Sequence, residues 1–395
     1  MKKILFITSL VLPCYSGDAI YTYGNILRLS EIASIDLITY NNNDFEKVAE
    51  YMTLKSKINN LFLVNRPEKL SFYEKIRQLN IQDYSKVFEE ELIKIMQKYS
   101  YDIIIIDHLR MSYTYETLKN SKLKDNSKIV LVEHNVEYKN INEIIDYHNN
   151  ALNKYKTRIK NYALKRIELA FINKVDYVWF ISNEDFQEIN NQVNKCDLKF
   201  NIIPPYFPYE KIISDKDIDD VKYRLIITGT MSWYPNVDGV IWFIENVFNK
   251  LTEIDSRFEL YIVGNRPSDK IKNLESDKII VTGKVPSIDD YLKMSDLLVV
   301  PNKLGSGVKI KVLEGILKGI PVIVSEESSI GYDEEIFLNG FIARTPEDFV
   351  SIILHTIDNT DKKQEFIIKA QTNINNENIR TEELMMEIIN NITSN

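Results

Sequence analysis

Apolar residues along this chain fall into short unbroken runs separated by longer interrupted ones. The unbroken runs at Lys3–Leu10, Ile35–Tyr40, Asp102–Asp107, Lys128–Glu133 and Val175–Ile181 read as strands buried on both faces. Asp102–Asp107 is the plainest, with four isoleucines held between two aspartates. Leu61–Val64 is a shorter strand candidate. Between these runs, Ala19–Ala33, Tyr84–Lys98 and Ala151–Asn173 carry helical spacing. A second series of strands follows at Tyr223–Thr228, Phe258–Val263, Lys278–Val281, Leu297–Val300 and Val322–Val324. Strands alternating with helices predict parallel α/β sheets.

The two series are divided by Ile202–Lys211, which holds three prolines, and by a polar, acidic run to Asp220. The predicted organisation is an N-terminal domain over 1–205, a linker over 206–222, a C-terminal domain over 223–375, and a helical tail over 376–395. From Glu347 onward the pattern is mostly helical, and no short-period repeat interrupts it.

The most informative stretch runs from Leu297 to Ser325, LLVVPNKLGSGVKIKVLEGILKGIPVIVS. It reads as a strand, a loop over Pro301–Ser306, a helix opening near Gly307 and stopping at Lys318-Gly319, and a strand after Pro321. Gly305, Ser306 and Gly307 leave backbone amides accessible at the predicted helix start. Lys309 and Lys311 then place two cations where a helix dipole is already positive, which costs about 0.3–1 kcal/mol each on an exposed helix. A bound anion such as a diphosphate reverses that sign. Glu314 lies three residues past Lys311, on the same predicted face, so a phosphate and a polyol can be held side by side.

Pro301–Val324 resembles the donor-site motif of glycosyltransferase family four, in a sub-branch with the wording GSGVKIKVLE. ITGTMSWYPNVDGVIWF (Ile227–Phe243), LYIVGNRP (Leu260–Pro267) and VTGKVPSIDDYLKMSDLLVVP (Val281–Pro301) match in order. VEHNVE (Val132–Glu137) and VDYVWFISNED (Val175–Asp185) are the matching pieces of the N-terminal half. The resemblance implies a GT-B fold, two Rossmann-like domains with parallel sheets facing across a cleft, and a final helix, Thr381–Ile392, crossing back to the N-terminal domain. It implies transfer of a sugar from a nucleoside-diphosphate sugar to a hydroxyl of a glycan, lipid-linked or protein-linked acceptor, with retention. With four scattered histidines and no H-E-x-x-H or C-x-x-C, the sequence indicates no metal site, and no other cofactor is expected. Lys309, Lys311 and His134 take the catalytic roles by this likeness, the lysines on the diphosphate and His134 on the donor sugar. Gly17, Asn236, Gly305, Ser306, Gly307 and Glu314 bind the donor, Glu314 through the ribose hydroxyls. The sequence departs from the family pattern at Ser306, where a glutamate is usual, and at Thr230 and Asn236, near the usual positions of an arginine and a lysine.

Each of these residues also has a plainer reading. Ser16-Gly17-Asp18 suits an ordinary strand-to-helix turn, with Asp18 as a cap or on the acceptor side. Asn236 suits a cap for a helix over Val237–Phe248. His134 closes the strand Lys128–Glu133 at the ligand-binding edge, whereas His108, after Asp107, has no counterpart in the family and is set aside. Asp217-Ile218-Asp219 matches a metal-binding D-x-D pattern but lies in the charged linker, so it reads as a solvated run. A dinucleotide reading of Gly305–Gly307, with Glu326 and Glu327 about 20 residues on, fails at Ile310, where the third glycine belongs.

Bulk properties narrow the function classes. The chain has 395 residues, 44% hydrophobic and 27% charged, with net charge −8. Residues 1–200 carry net charge +2 and the remainder −10, which argues against nucleic acid as the main partner. Cys14 and Cys196 form neither a disulfide framework nor a zinc spacing. MKKILFITSLVLPC resembles a lipoprotein leader, but Pro13 stands where a small residue is needed, so it reads as a first strand. No apolar run reaches the ~18 residues of a bilayer span. The expected location is cytoplasmic, at the inner face of the membrane. There Lys154–Arg166, with six basic residues, offers a peripheral contact through the N-terminal domain. The rival readings are a non-catalytic GT-B-like partner of an active transferase and a sugar-nucleotide epimerase.

Overall fold

The structure is a computed structural model. It describes residues 1–12, 16–41, 45–48, 50–67, 83–121, 127–145, 151–193, 199–206, 221–305, 307–337 and 340–394. The linker over 207–220, the D-x-D run, both cysteines and Ser306 therefore lie outside the described residues. The chain divides into two compact units, Met1–Tyr206 with Ile379–Asn395, and Phe207–Asn378.

The first unit is built on a seven-stranded parallel sheet of order β3-β2-β1-β4-β5-β6-β7. Its strands are β1 (Lys2–Ile7), β2 (Ala33–Asn41), β3 (Asn60–Asn65), β4 (Ile103–Asp107), β5 (Lys128–Glu133), β6 (Tyr177–Phe180) and β7 (Phe200–Ile202). The isoleucine run of β4 pairs with β1 through Ile4↔Ile103 to Ile7↔Ile106 and is wholly buried, as an unbroken apolar run should be. Helix α1 (Gly17–Ser30) starts earlier than the periodicity predicts, because the Ser16 hydroxyl accepts from Ala19 N at 3.4 Å and caps it. Asp18 is left free of that role. Helices α2 (Lys86–Lys98), α3 (Glu137–Ile145) and α4 (Ala151–Ile172) follow.

The second unit repeats the plan with six parallel strands in the order β10-β9-β8-β11-β12-β13. These are β8 (Tyr223–Thr228), β9 (Phe258–Val263), β10 (Ile279–Gly283), β11 (Leu297–Val300), β12 (Val322–Ser325) and β13 (Ile342–Ala343). Helix α5 (Tyr234–Phe243) carries Pro235 in its first turn and runs on through a π-helical turn, Ile244–Phe248. Helix α6 (Ile310–Lys318) ends on Gly319, whose φ of 85° is the left-handed stop predicted there. A 35-residue helix, α7 (Thr360–Ser394), closes the chain and contributes to both units.

Two predicted elements are corrected. The helix of the donor-type motif does not open near Gly307. Gly305 and Gly307 have φ of 88° and 82°, outside the right-handed helical region, and the helix starts at Ile310 with Lys309 as its cap residue. Asn236 does not cap α5 either; the cap position belongs to Trp233, and the Asn236 side chain turns elsewhere. The short outer strands β7 and β13 had no apolar run long enough to predict them.

In both sheets the order reverses beside the first strand of the unit, between β1 and β4 and between β8 and β11. The loops after β8 and β9 are in close contact in the second unit. A Cβ on Gly264 would lie 1.7 Å from the carbonyl oxygen of Gly229. Gly264→Ala is therefore expected to destabilise the chain by about 2–4 kcal/mol, since backbone must move. Gly283→Ala is the control. Nothing lies within 4 Å of its added Cβ, so only the φ of 67° opposes it, at about 1–2 kcal/mol. Urea midpoints of the two variants measure the difference, and equal shifts would refute the close approach.

Candidate functional site

Parallel sheets bind ligands outside the carboxyl ends of their strands, where the strand order turns back. In the second unit this place is bridged by Asn302, two residues past β11 and 2% exposed. Its Nδ2 donates to the Pro235 carbonyl and to Asn236 Oδ1, both at 3.0 Å. Its Oδ1 accepts from Lys311 Nζ at 3.0 Å. Its carbonyl accepts from Ser325 Oγ at 2.5 Å and Ser328 Oγ at 3.1 Å, which ties in the end of β12. Asn236 completes the arrangement, with Nδ2 donating to Thr230 O at 3.1 Å.

Lys311 is the charged member of this cluster. Its ammonium donates to Thr228 O at 3.2 Å and to Asn236 Oδ1 and Asn302 Oδ1 at 3.0 Å each. Three N–H groups thus meet three neutral oxygens, and no carboxylate lies within ion-pair distance among the described residues. Burial, and after it the nearby charge of Lys309, lowers the Lys311 ammonium from its ordinary 10.5 to about 7. Lys309 folds back on the glycine loop, donating to the carbonyls of Gly305 and Gly307, the latter at 2.9 Å. The glycine loop therefore turns carbonyls toward this cation, where the sequence suggested amides aimed at a ligand.

Glu314 takes different company. Its side chain is 14% exposed, and Oε1 accepts from Lys318 Nζ at 3.0 Å. Lys318 also bonds Asp289, so two carboxylates share one buried ammonium. The structure thus brings together Asn236 with Lys311 and Lys309 with Gly305 and Gly307, and holds Glu314 in a separate ion pair.

The first unit has a comparable cluster at its own strand reversal, centred on Asp107 at the end of β4. Asp107 Oδ2 accepts from Thr8 Oγ1 and Thr22 Oγ1, both at 2.7 Å, and Oδ1 accepts from His134 Nε2 at 2.7 Å. Asp107 and His134 are 1% and 2% exposed. Burial alone would depress the imidazole, but the Asp107 carboxylate outweighs it and raises His134 overall. Tyr21 meets the ring edge-on, 5.0 Å between centroids. The bond to Asp107 places the proton on Nε2, and Nδ1 is a buried atom with no partner among the described residues.

Beside it, His108 has φ of 73° and its ring lies tilted against that of His134, 5.0 Å between centroids. His108 Nε2 lies 3.2 Å from Glu137 Oε1, and its Nδ1 accepts from Arg110 N at 3.3 Å. Arg110 Nη2 bonds Asp18 Oδ2 at 2.8 Å. Burial opposes ionisation of Asp18 and Glu137, yet the surrounding cations hold both below the usual carboxylate range. Gly17 is the first residue of α1, directly after the Ser16 cap. The sequence singled out His134, set His108 aside, and gave no role to Asp107 or Asn302, which the structure places in these two clusters. A strand ending in Asp-His was a usable signal for Asp107 and His108.

Residues 222–359 match the family model described as Glycosyl transferases group 1, which spans the cluster around Asn302 and Lys311. A 44.6 kDa protein in the cps region of Klebsiella pneumoniae is 23% identical over 338 residues, covering 80% of this chain and 83% of that protein. Among solved structures, TarM superposes with a TM-score of 0.66 at 13% identity, covering 100% of this chain and 99% of its own. Sucrose-phosphate synthase from Thermosynechococcus elongatus gives 0.69 at 12%, covering 100% of both chains. Anabaena HepE, in complex with UDP and glucose, gives 0.64 at 13%, covering 99% of this chain and 100% of its own. The architecture is the GT-B fold of two Rossmann-like units.

The depressed Lys311 makes stability depend on pH. The unfolded chain keeps that proton to about 10.5 and the folded chain releases it near 7, so between these values the unfolded state binds more protons. This contribution is complete above 10.5 and is lost as pH falls through 7. Urea unfolding of wild type and Lys311→Met at pH 6.5, 7.5 and 8.5 reads it. The difference is expected to move in favour of wild type as pH rises, by at most about 1.4 kcal/mol per unit. A flat difference would mean that Lys311 stays charged in the fold. Asp107→Asn tests the other cluster: with the carboxylate gone, burial dominates, and the His134 titration seen by NMR should fall.

Proposed function

We propose that this chain is a glycosyltransferase that moves a sugar from a nucleoside diphosphate to an acceptor hydroxyl, with the second unit holding the donor. The observation that carries this reading is Lys311, a desolvated ammonium at the strand reversal, met only by neutral oxygens. A cation buried without a counter-charge is costly, and an anion arriving beside it removes that cost. The family match over residues 222–359 supports glycosyl transfer as the chemistry. The UDP and UDP-glucose complexes of HepE support a uridine nucleotide as the first donor to try.

In this mechanism the bond between the anomeric carbon and the diphosphate breaks, and negative charge grows on the leaving oxygens. Lys311 and Lys309 stabilise that charge from fixed positions, which is the form of stabilisation that lowers a barrier most. Gly305 and Gly307 let the loop approach the phosphates. Asn302 and Asn236 orient the Lys311 ammonium. Glu314, steadied by Lys318, accepts from the ribose hydroxyls with the oxygen that Lys318 does not take. The first unit serves the acceptor and the transferred sugar, with Nε2 of His134 held by Asp107. Retention at the anomeric carbon, with the leaving phosphate taking the acceptor proton, completes the proposal, as does a metal-independent reaction on a hexose. The cps-region relative supports surface polysaccharide assembly as the setting.

The three bonds of Lys311 also favour a second reading, in which it only braces loops in a non-catalytic partner. Release of nucleotide from a panel of UDP-, GDP-, ADP- and dTDP-sugars separates the two. One donor is expected to be cleaved slowly without acceptor, and Lys311→Ala is expected to reduce that rate by about 10²–10³-fold. Nucleotide bound tightly but never released from any sugar, even with acceptors added, would favour the non-catalytic partner. A Lys311→Ala variant with full turnover would remove it from the mechanism.

A further inference from the structure

Among the described residues, helix α4 buries one face. Asn161 donates to Tyr138 O at 2.9 Å and to Asn142 Oδ1 at 2.6 Å. Glu168 accepts from the amides of Glu137 and Tyr138 at 2.7 and 3.1 Å, while Phe171 and Ile172 are buried. Lys165 lies over the Tyr138 ring at 4.6 Å, so it too belongs to the packed side. On the opposite side, Leu152, Tyr155, Ile159 and Tyr162 are 57, 64, 54 and 67% exposed. Their spacing of three, four and three residues puts them in one stripe along about three turns of helix. A folded chain gains nothing by exposing such a stripe.

The charges around the stripe identify its occupant. Lys156, Lys160 and Arg166 are exposed beside it, and no acidic residue occurs from Ala151 to Ile167, in a chain of net charge −8. We propose that this outward face of α4 docks on an anionic lipid bilayer, with Tyr155, Ile159 and Tyr162 entering the headgroup boundary and the cations meeting lipid phosphates. An apolar stripe flanked by lysine and arginine suits that boundary, because burial of the apolar side chains and attraction to the surface charge act in the same direction. A second copy of the chain is a poorer occupant, since two-fold pairing through this face would oppose like charges. No helix among the described residues is long and apolar enough to cross a membrane, so the contact is a surface one. The inference does not depend on the donor chemistry proposed above.

Co-flotation of the full chain with vesicles tests it. Binding is expected to vesicles containing about one-third phosphatidylglycerol and not to phosphatidylcholine alone, weakening about tenfold or more between low and high salt. Tyr155→Ser with Ile159→Ser, and separately Lys156→Glu with Lys160→Glu, should each reduce binding by about tenfold or more. Hydrolysis of a soluble donor by these variants should stay at the wild-type rate. Failure to bind anionic vesicles, equal binding to neutral ones, or binding untouched by both pairs would overturn the proposal. So would self-association in solution that Tyr155→Ser with Ile159→Ser abolishes, which would make the face an interface between copies.

Discussion

The reversal of strand order in each sheet is the constraint on which the rest depends. Where the chain leaves the first strand and later returns on its other side, neighbouring connections run in opposite directions and a gap opens above the strand ends. A gap in the interior cannot be left with bare polar backbone. Each unit bridges it with one short polar side chain at or just past the end of its fourth strand, Asp107 in one and Asn302 in the other. Each of these reaches the first βα connection of its unit, through Thr8 and Thr22 or through Pro235 and Asn236. Each also reaches the next strand end, through His134 or Ser325. The two hubs are equivalent in topology and differ in charge. The anionic hub holds an imidazole, and the neutral one orients an ammonium.

That difference divides the chemistry. A carboxylate at the first hub holds Nε2 of His134 and fixes its tautomer, leaving Nδ1 without a partner among the described residues. An amide at the second hub directs Lys311 without neutralising it, so the positive field remains available. Changing Asn302 to a carboxylate would fill the same space and cancel that field. Close to the first hub lies another unusual group, Glu133, whose two buried oxygens have no partner among the described residues. Burial, and then the neighbouring Glu168 carboxyl, pushes its carboxyl well above the usual range. Glu168 rises to about 8 by burial first, against the two amides it accepts from.

Much of the fold was legible because parallel strands buried on both faces leave unbroken apolar runs, and β4 and β11 are such runs. The long helix α4 and the glycine stop of α6 were legible for the same local reasons. The start of α6 was not. A Gly-Ser-Gly segment is compatible with a helix start and with a left-handed loop, and Gly305 takes the latter close to Pro235, a neighbour 70 residues away in the chain. The site was legible as a set of residue types, since Lys309 and Lys311 stand out in a glycine loop. Their partners were not, because Lys311 bonds residues 228 and 236 far away in the chain. Asn302 carried no signal at all, being an ordinary asparagine after a strand.

His108 adds a consequence for variation in this chain. Its left-handed backbone is unfavourable for any residue with a side chain, by roughly 1–3 kcal/mol, and a glycine there would be relaxed. The position nevertheless holds a histidine gripped by Glu137 and Arg110. Selection for thermal tolerance alone would drift toward glycine at 108 and lose the imidazole on the way.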